Sequence, residues 1–142
     1  MTHKEAVKLL ALIKVAYPSF YRDADEDTIN ATIAMWQTTF PHTPYVIMEM
    51  AFEHFRRKSK FPPTVAEFIE ELKDLYITAV ANANMYAWRG DRDSQEKCEF
   101  IIACTYKYAR ELDDMSFNIG RISNEMLIEE KKRRYGLEAH HE

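Results

Sequence analysis

Two adjacent prolines, Pro62 and Pro63, constrain the fold of this chain more than any other feature of its sequence. Each proline fixes its own φ angle, removes a backbone donor and pushes the preceding residue out of the α region, so a helix must end here. Thr64 can then cap the free amides of a new helix, and Glu67, three residues later, completes a capping box. The segment predicts a rigid corner between two helices, and we expect Phe61 to fill the core beside it.

The composition favours helices throughout. The 142 residues include only three glycines and five prolines, while 46% are hydrophobic and 30% are charged. Few residues are therefore available for β-turns, and the charged fraction suits exposed helix faces. We expect an all-α protein, a compact multi-helix bundle of about five to six helices with proline-defined corners.

Apolar residues at helical spacing, together with caps and breakers, place the individual helices. The predicted helices cover residues 3–16, a segment ending at Phe40, residues 44–58, 65–88, about 95–112 and, after a loop at 113–120, 123–135. Thr43 is predicted to cap the third helix, with Pro44 at its first position. In the fifth helix, Thr105 is small enough to be buried on the apolar face.

The sequence also predicts which helix faces are buried. On the first helix the apolar stripe consists of Val7, Leu10, Ala11 and Val15, widened by Leu9, Leu12 and Ile13. On the second helix, Trp36 lies on a clean apolar face, so we expect a core residue and not a base-stacking platform. The polar segment from Gly90 to Ser94 predicts two domains, residues 1–90 and a helical extension, residues 91–142, free to pack on the first.

The sequence carries no recognisable catalytic, cofactor or metal motif. There is no GxxxxGK[ST], GxGxxG or HExxH sequence, and the histidines and two cysteines do not form a zinc-type array. Paired carboxylates on helix faces are normally solvated, and they become catalytic only in a pocket that perturbs their pKa. We therefore predict a protein that is not an enzyme and has no catalytic residues, cofactor or metal.

Localisation signals and net charge limit the classes of partner that the protein can have. No stretch approaches the roughly 18–20 apolar residues of a membrane span, and the N-terminus lacks a long apolar run. Cys98 and Cys104 are six residues apart, which fits a reducing compartment. A net charge of −4 argues against coating nucleic acid. We expect a cytoplasmic protein with no membrane contact.

Two basic clusters could contact phosphates. The first consists of Arg56, Arg57, Lys58 and Lys60, and the second covers residues 131–134. Both lie at predicted helix C-termini, where cations complement the helix dipole without any ligand. The dipole is the favoured interpretation, and phosphate contact by either cluster is the alternative.

Several marks along the first half of the chain occur together in one family. They are Leu9-Leu10-Ala11-Leu12-Ile13, then Ala16-Tyr17-Pro18-Ser19-Phe20, then Trp36, and finally Ser59-Lys60-Phe61-Pro62-Pro63-Thr64 with Glu67. In this order and spacing, residues 3–75 resemble the N-terminal domain of the bacteriophage replicative-helicase loader/inhibitor family.

The resemblance implies a non-enzymatic adaptor of phage DNA replication in the host-cell cytoplasm. Such an adaptor binds the hexameric replicative DNA helicase, holds it inactive and helps deliver it to an origin-binding initiator, with weak or no direct nucleic acid binding. A small helical DNA-binding protein or a virion assembly protein of a phage is the alternative.

In the family, the helicase-contacting portion is expected toward the C-terminal end. The last predicted helix offers apolar anchors beside basic residues, an arrangement that can lie in a partner's groove. The candidate partner-binding residues are Met126, Leu127, Lys131, Arg133, Arg134 and Tyr135. The competing interpretation is that this helix caps its own bundle.

Overall fold

The structure is a computed structural model that describes residues 1–115, with side chains described through Ala109. Within that range the backbone forms five α-helices and no strand. They are α1 His3–Ala16, α2 Glu26–Thr39, α3 Tyr45–Arg56, α4 Val65–Arg89 and α5 Arg92–Met115. The predicted all-α class is confirmed. The helix predicted over residues 123–135 lies outside the described residues.

Side-chain caps define where these helices begin. Thr2 and Glu5 form a reciprocal capping box on α1, and the Asp25 carboxylate accepts from the Thr28 amide at 2.7 Å to start α2. At α4 the predicted capping box is present. The Thr64 amide donates to Glu67 Oε1 at 2.9 Å, and the Glu67 amide donates to Thr64 Oγ1 at 3.1 Å. The corner at Pro62 and Pro63 is therefore followed by the capped start of α4, as its sequence predicts.

Three predicted helix boundaries differ from the observed ones. Pro44, and not Thr43, is the N-cap of α3: its ψ of 145° is extended, so the fixed proline φ precedes the helix instead of opening it. Thr43 is buried just before this cap. Helix α5 begins three residues before the predicted start, because the Asp91 carboxylate accepts from the Ser94 amide at 3.1 Å. It also continues through Met115, into the predicted loop.

The described chain divides into two compact units, and the first runs from Met1 to Leu72. Here α1 packs against both α2 and α3. Trp36 is buried, as predicted, with its ring 5.1 Å from that of Phe68 in an edge-to-face arrangement. Phe40 completes the aromatic cluster, 5.8 Å from Phe68. Such ring pairs add to the free energy already gained by burying their area.

The buried face of α1 agrees with the predicted one only in part. Leu9, Leu10 and Ile13 are buried as predicted, together with Ala6, whereas Val7, Ala11 and Val15 are exposed, with Val15 at 79%. The helix carries apolar residues around much of its circumference, so its sequence permits more than one inward face. The face that buries the larger leucine and isoleucine side chains removes more apolar area from water than the valine face would.

The second unit begins at Lys73 and includes most of α4 and all of the described α5. Its core is one cluster that joins both helices: Tyr76, Ala79, Val80 and Ala83 with Cys98, Ile102 and Ala109. Thr105 is buried, as predicted, and its hydroxyl donates to the Ile101 carbonyl at 2.7 Å. Gly90, with φ +74°, separates the two helices. The predicted domain division at residue 90 stays a prediction.

Within residues 1–115, no helix combines the length and the apolarity needed to cross a membrane.

Candidate partner-binding surface

The segment between α3 and α4 is held in one conformation by a serine. Ser59 Oγ donates to the Phe61 carbonyl at 3.0 Å and accepts from the Phe61 amide at 3.2 Å. The Tyr17 hydroxyl, at the end of α1, donates to the Ser59 carbonyl at 2.8 Å. Burial raises the pKa of the Tyr17 phenol, with Arg56 acting in the opposite direction, so the hydroxyl keeps its proton at neutral pH. The corner is therefore tied to α1.

Phe61 points away from the core of this unit. Its side chain is 75% exposed, so the predicted role of filling the core is wrong. The following prolines and the two Ser59 hydrogen bonds fix the backbone in a geometry that presents the ring to solvent, while Pro63 is buried. A phenylalanine ring exposed on a fixed backbone suits a protein contact, because burying it would contribute about 1.5–3 kcal/mol and the backbone would lose little further freedom.

Two of the four residues in the first basic cluster form ion pairs with carboxylates. Arg56 Nε lies 2.9 Å from Glu53 Oε1, and Lys58 Nζ lies 2.9 Å from Glu71 Oε2. The Glu71 side chain is only 5% exposed, so Lys58 supplies the charge that this buried carboxylate needs, and it links the end of α3 to α4. Lys58 therefore has a structural role, whereas Arg56 belongs to an exposed surface pair that contributes little to stability.

Arg57 and Lys60, in contrast, are exposed on either side of Ser59 and close in sequence to Phe61. We define Arg57, Lys60 and Phe61 as the corner surface. Phosphate contact by Arg56, Arg57, Lys58 and Lys60 stays a prediction, and the geometry leaves Arg57 and Lys60 as the members best placed for it.

Beside the corner surface, the outer side of α3 forms an open depression of ≈ 360 Å³. Its lining alternates apolar and charged side chains: Val46, Glu49, Met50, Glu53, His54 and Arg57. Val46 is 52% exposed. Arg57 belongs to both the depression and the corner surface. Residues 46–61 therefore contain an apolar depression, an arginine and an exposed aromatic side chain. Aromatic and arginine side chains are the types that dominate protein–protein binding energies.

The described residues show no cluster of side chains suited to holding a metal ion. No group of three or more His, Cys, Asp or Glu side chains within residues 1–115 could hold a metal ion. The candidate partner-binding residues of the last predicted helix, Met126 to Tyr135, lie outside the described residues. Sequence reasoning missed the exposure of Phe61. The signal that could have found it is the pair of prolines, which fixes the backbone without requiring the preceding side chain to turn inward.

The fold and this surface define a small helical domain whose exposed features suit contact with another protein. Residues 1–69 match the family model of the N-terminal domain of the phage helicase loader/inhibitor. The resemblance inferred from the sequence is thereby confirmed: this part of the chain is an N-terminal domain of that loader/inhibitor family. The match ends three residues before the first compact unit does, at Leu72.

Proteins of that family are regulatory adaptors and not themselves enzymes. Neither the search of curated proteins nor the search of solved structures gave a match.

Proposed function

We propose that this chain is a non-enzymatic adaptor of phage DNA replication that binds the hexameric replicative helicase. In this role it holds the helicase inactive and helps load it at the origin, with an origin-binding initiator as a second partner. The observation that supports the proposal is the match of residues 1–69 to the N-terminal domain of the loader/inhibitor family. The exposed ring of Phe61, on a backbone fixed by Ser59 and two prolines, offers an apolar anchor to a protein partner.

Contact with the helicase is proposed at two places. The first is the last predicted helix, where Met126, Leu127 and Tyr135 serve as apolar anchors and Lys131, Arg133 and Arg134 surround them. An amphipathic segment of this kind binds by laying its apolar side in a groove. The second is the corner surface, where Phe61 is a preorganised anchor.

Size-exclusion chromatography of the full chain with the purified replicative helicase, with and without ATP, tests the proposal. We expect co-elution with the helicase hexamer and reduced DNA unwinding by the complex. Failure to co-elute under every nucleotide condition would overturn the adaptor proposal.

Variants of the full chain separate the two contact surfaces. Met126→Asp combined with Leu127→Asp is expected to abolish co-elution, and Phe61→Ala to weaken helicase binding about tenfold or more, as for an anchor worth at least about 1.4 kcal/mol. Val15→Ala is the matched control, because Val15 is similarly exposed but belongs to α1 and not to the segment between α3 and α4. Wild-type binding by the double variant would reject the last helix as the contact and leave the adaptor proposal intact.

Direct nucleic acid binding is expected to be weak or absent, since two of the four clustered cations already pair with carboxylates. Fluorescence anisotropy with labelled single-stranded and duplex DNA at low salt measures it. Binding that falls with added salt, and that is lost when Arg57 and Lys60 are both changed to Ala, would instead support phosphate contact.

A further inference from the structure

The segment between α3 and α4 is not held in place by apolar burial. Phe55 before it and Pro63 after it are buried, but none of the residues from Arg56 to Pro62 is. The two prolines fix their own φ angles and restrict Phe61, yet they do not fix the residues before it. The conformation that presents the Phe61 ring therefore depends on polar contacts.

Two of these contacts connect the backbone of Phe61 to α1. Ser59 Oγ donates to the Phe61 carbonyl and accepts from the Phe61 amide, which closes a local turn. A local turn sets the shape of the segment but not its position on the domain. The Tyr17 hydroxyl, 42 residues away in sequence, supplies that position by donating to the Ser59 carbonyl at 2.8 Å. The ion pair of Lys58 with Glu71 holds the segment one residue earlier, through a long side chain and not through the backbone.

Tyr17 is itself firmly held. Its side chain is buried, and its ring packs edge-to-face against Phe52 and Phe55 of α3, with 6.3 Å between ring centroids in each pair. Its amide donates to the Ile13 carbonyl at 2.8 Å and so closes the last turn of α1. The ring supplies the burial, whereas the hydroxyl reaches the corner. Removing the hydroxyl alone therefore separates the two contributions.

We propose that Tyr17 is the positioning residue of the corner surface, because its hydroxyl holds the Ser59 carbonyl where Phe61 can meet the helicase. This inference rests on the proposed contact between Phe61 and the helicase. When a partner needs one conformation of a segment, its affinity is reduced in proportion to the fraction of chains that adopt that conformation. Without the Tyr17 hydrogen bond this fraction falls, and helicase binding must then include the ordering of the segment.

Isothermal titration calorimetry of the full chain with the replicative helicase measures this role in Tyr17→Phe, which keeps the buried ring. We expect the affinity to fall about three- to tenfold, the range for one hydrogen bond. In a chain that also carries Phe61→Ala, the further loss should be less than about twofold, because the ring to be positioned is gone. A general loss of stability would weaken binding equally in both backgrounds, so the comparison isolates positioning.

Two other variants make the test specific. Tyr45→Phe is the matched control, because Tyr45 is a partly buried tyrosine of the same unit whose hydroxyl has no hydrogen-bond partner among the described residues. It should leave helicase affinity unchanged. Ser59→Ala removes the next link toward Phe61. It should weaken binding as Tyr17→Phe does, and the two together should cost less than the sum of their separate effects.

Backbone ¹⁵N relaxation of the full chain tests the positioning without the helicase. In the wild-type chain the Lys60 and Phe61 amides should have order parameters near 0.85, as in rigid backbone, and Tyr17→Phe should lower them toward about 0.6. The amides of α3 should keep their wild-type values, because the ring at position 17 still packs there.

Three results would overturn the positioning role and leave the adaptor function intact. They are wild-type affinity in Tyr17→Phe, an equal loss of affinity in the presence and absence of the Phe61 ring, and unchanged order parameters at Lys60 and Phe61. Absence of helicase binding by the wild-type chain is a different result, and it would overturn the adaptor function together with this inference.

Discussion

At the scale of single residues, Phe61 and Phe68 show how differently two nearby phenylalanines are used. Phe68 is fully buried against Trp36 and Phe40, whereas Phe61 is 75% exposed at the proline corner. The two positions carry the same side chain and lie on either side of the Thr64 cap. Phe68 holds the domain together, and Phe61 is available to a partner.

We expect Phe68→Ala to lower the free energy of unfolding by about 3–5 kcal/mol, because it removes a buried ring and leaves a cavity. Phe61→Ala should change that free energy by less than about 0.5 kcal/mol. Urea denaturation of both variants measures the difference. A large loss of stability in Phe61→Ala would mean that its ring is part of the core after all.

The lysines of the first basic cluster give a second comparison. Lys58→Ala leaves the buried Glu71 carboxylate without its ammonium partner at 2.9 Å, and we expect a loss of about 1–3 kcal/mol in unfolding free energy. Lys60→Ala, at an exposed position, should cost less than about 0.5 kcal/mol. Equal effects of the two substitutions in thermal or urea unfolding would contradict the structural role given to Lys58.

At the scale of the helices, their ends could be predicted from the sequence and their faces only in part. The first helix was placed at residues 3–16 and observed at His3–Ala16, because the Tyr17-Pro18 pair is a local stop signal. The capping box of Thr64 and Glu67 is likewise local. Which side of α1 turns inward depends on the helices it meets, and its apolar circumference carries no such information.

The same reason explains the misplaced Phe61. An apolar residue is compatible with burial, but the sequence does not show which surface, if any, covers it. Phe61 was assigned to the chain's own core, whereas the backbone fixed by Ser59 and the prolines turns it outward. Trp88, 92% exposed near the end of α4, is likewise an apolar residue whose exposure the sequence alone does not predict.

The start of α2 gives a prediction on pH. Hydrogen bonds from the side chain and the backbone amide of Thr28 hold the pKa of Asp25 below its ordinary value. A depressed folded-state pKa contributes stability that is fully present above the unfolded value, about 3.9, and is lost as pH falls through the lower folded value.

Asn also caps helices but does not titrate, so Asp25→Asn isolates this charge. The melting temperature of the wild-type chain should exceed that of the variant at neutral pH, and the gap should close as pH falls below about 4. Melting curves collected from pH 7 downward would show it. A gap of constant size over the whole range would contradict the assignment.

At the scale of the whole molecule, the chain combines a loader/inhibitor N-terminal domain over residues 1–69 with a second helical unit from Lys73 onward. The first unit presents Phe61 from a rigid corner, and the second exposes Trp88 near the end of α4. The fold class and the family could be predicted from the sequence, because both depend on local features such as helix caps and short sequence motifs. The surfaces depend on side-chain exposure, which the sequence encodes only through the packing of several helices.

Mass photometry of the replicative helicase hexamer with the full chain in ATP tests the adaptor function most directly. The account predicts that the hexamer gains mass in steps of 16.8 kDa as the chain is added. It also predicts that the gain is reduced by Phe61→Ala and preserved in Val15→Ala. A hexamer whose mass stays the same with ATP, with ADP and without nucleotide would contradict it.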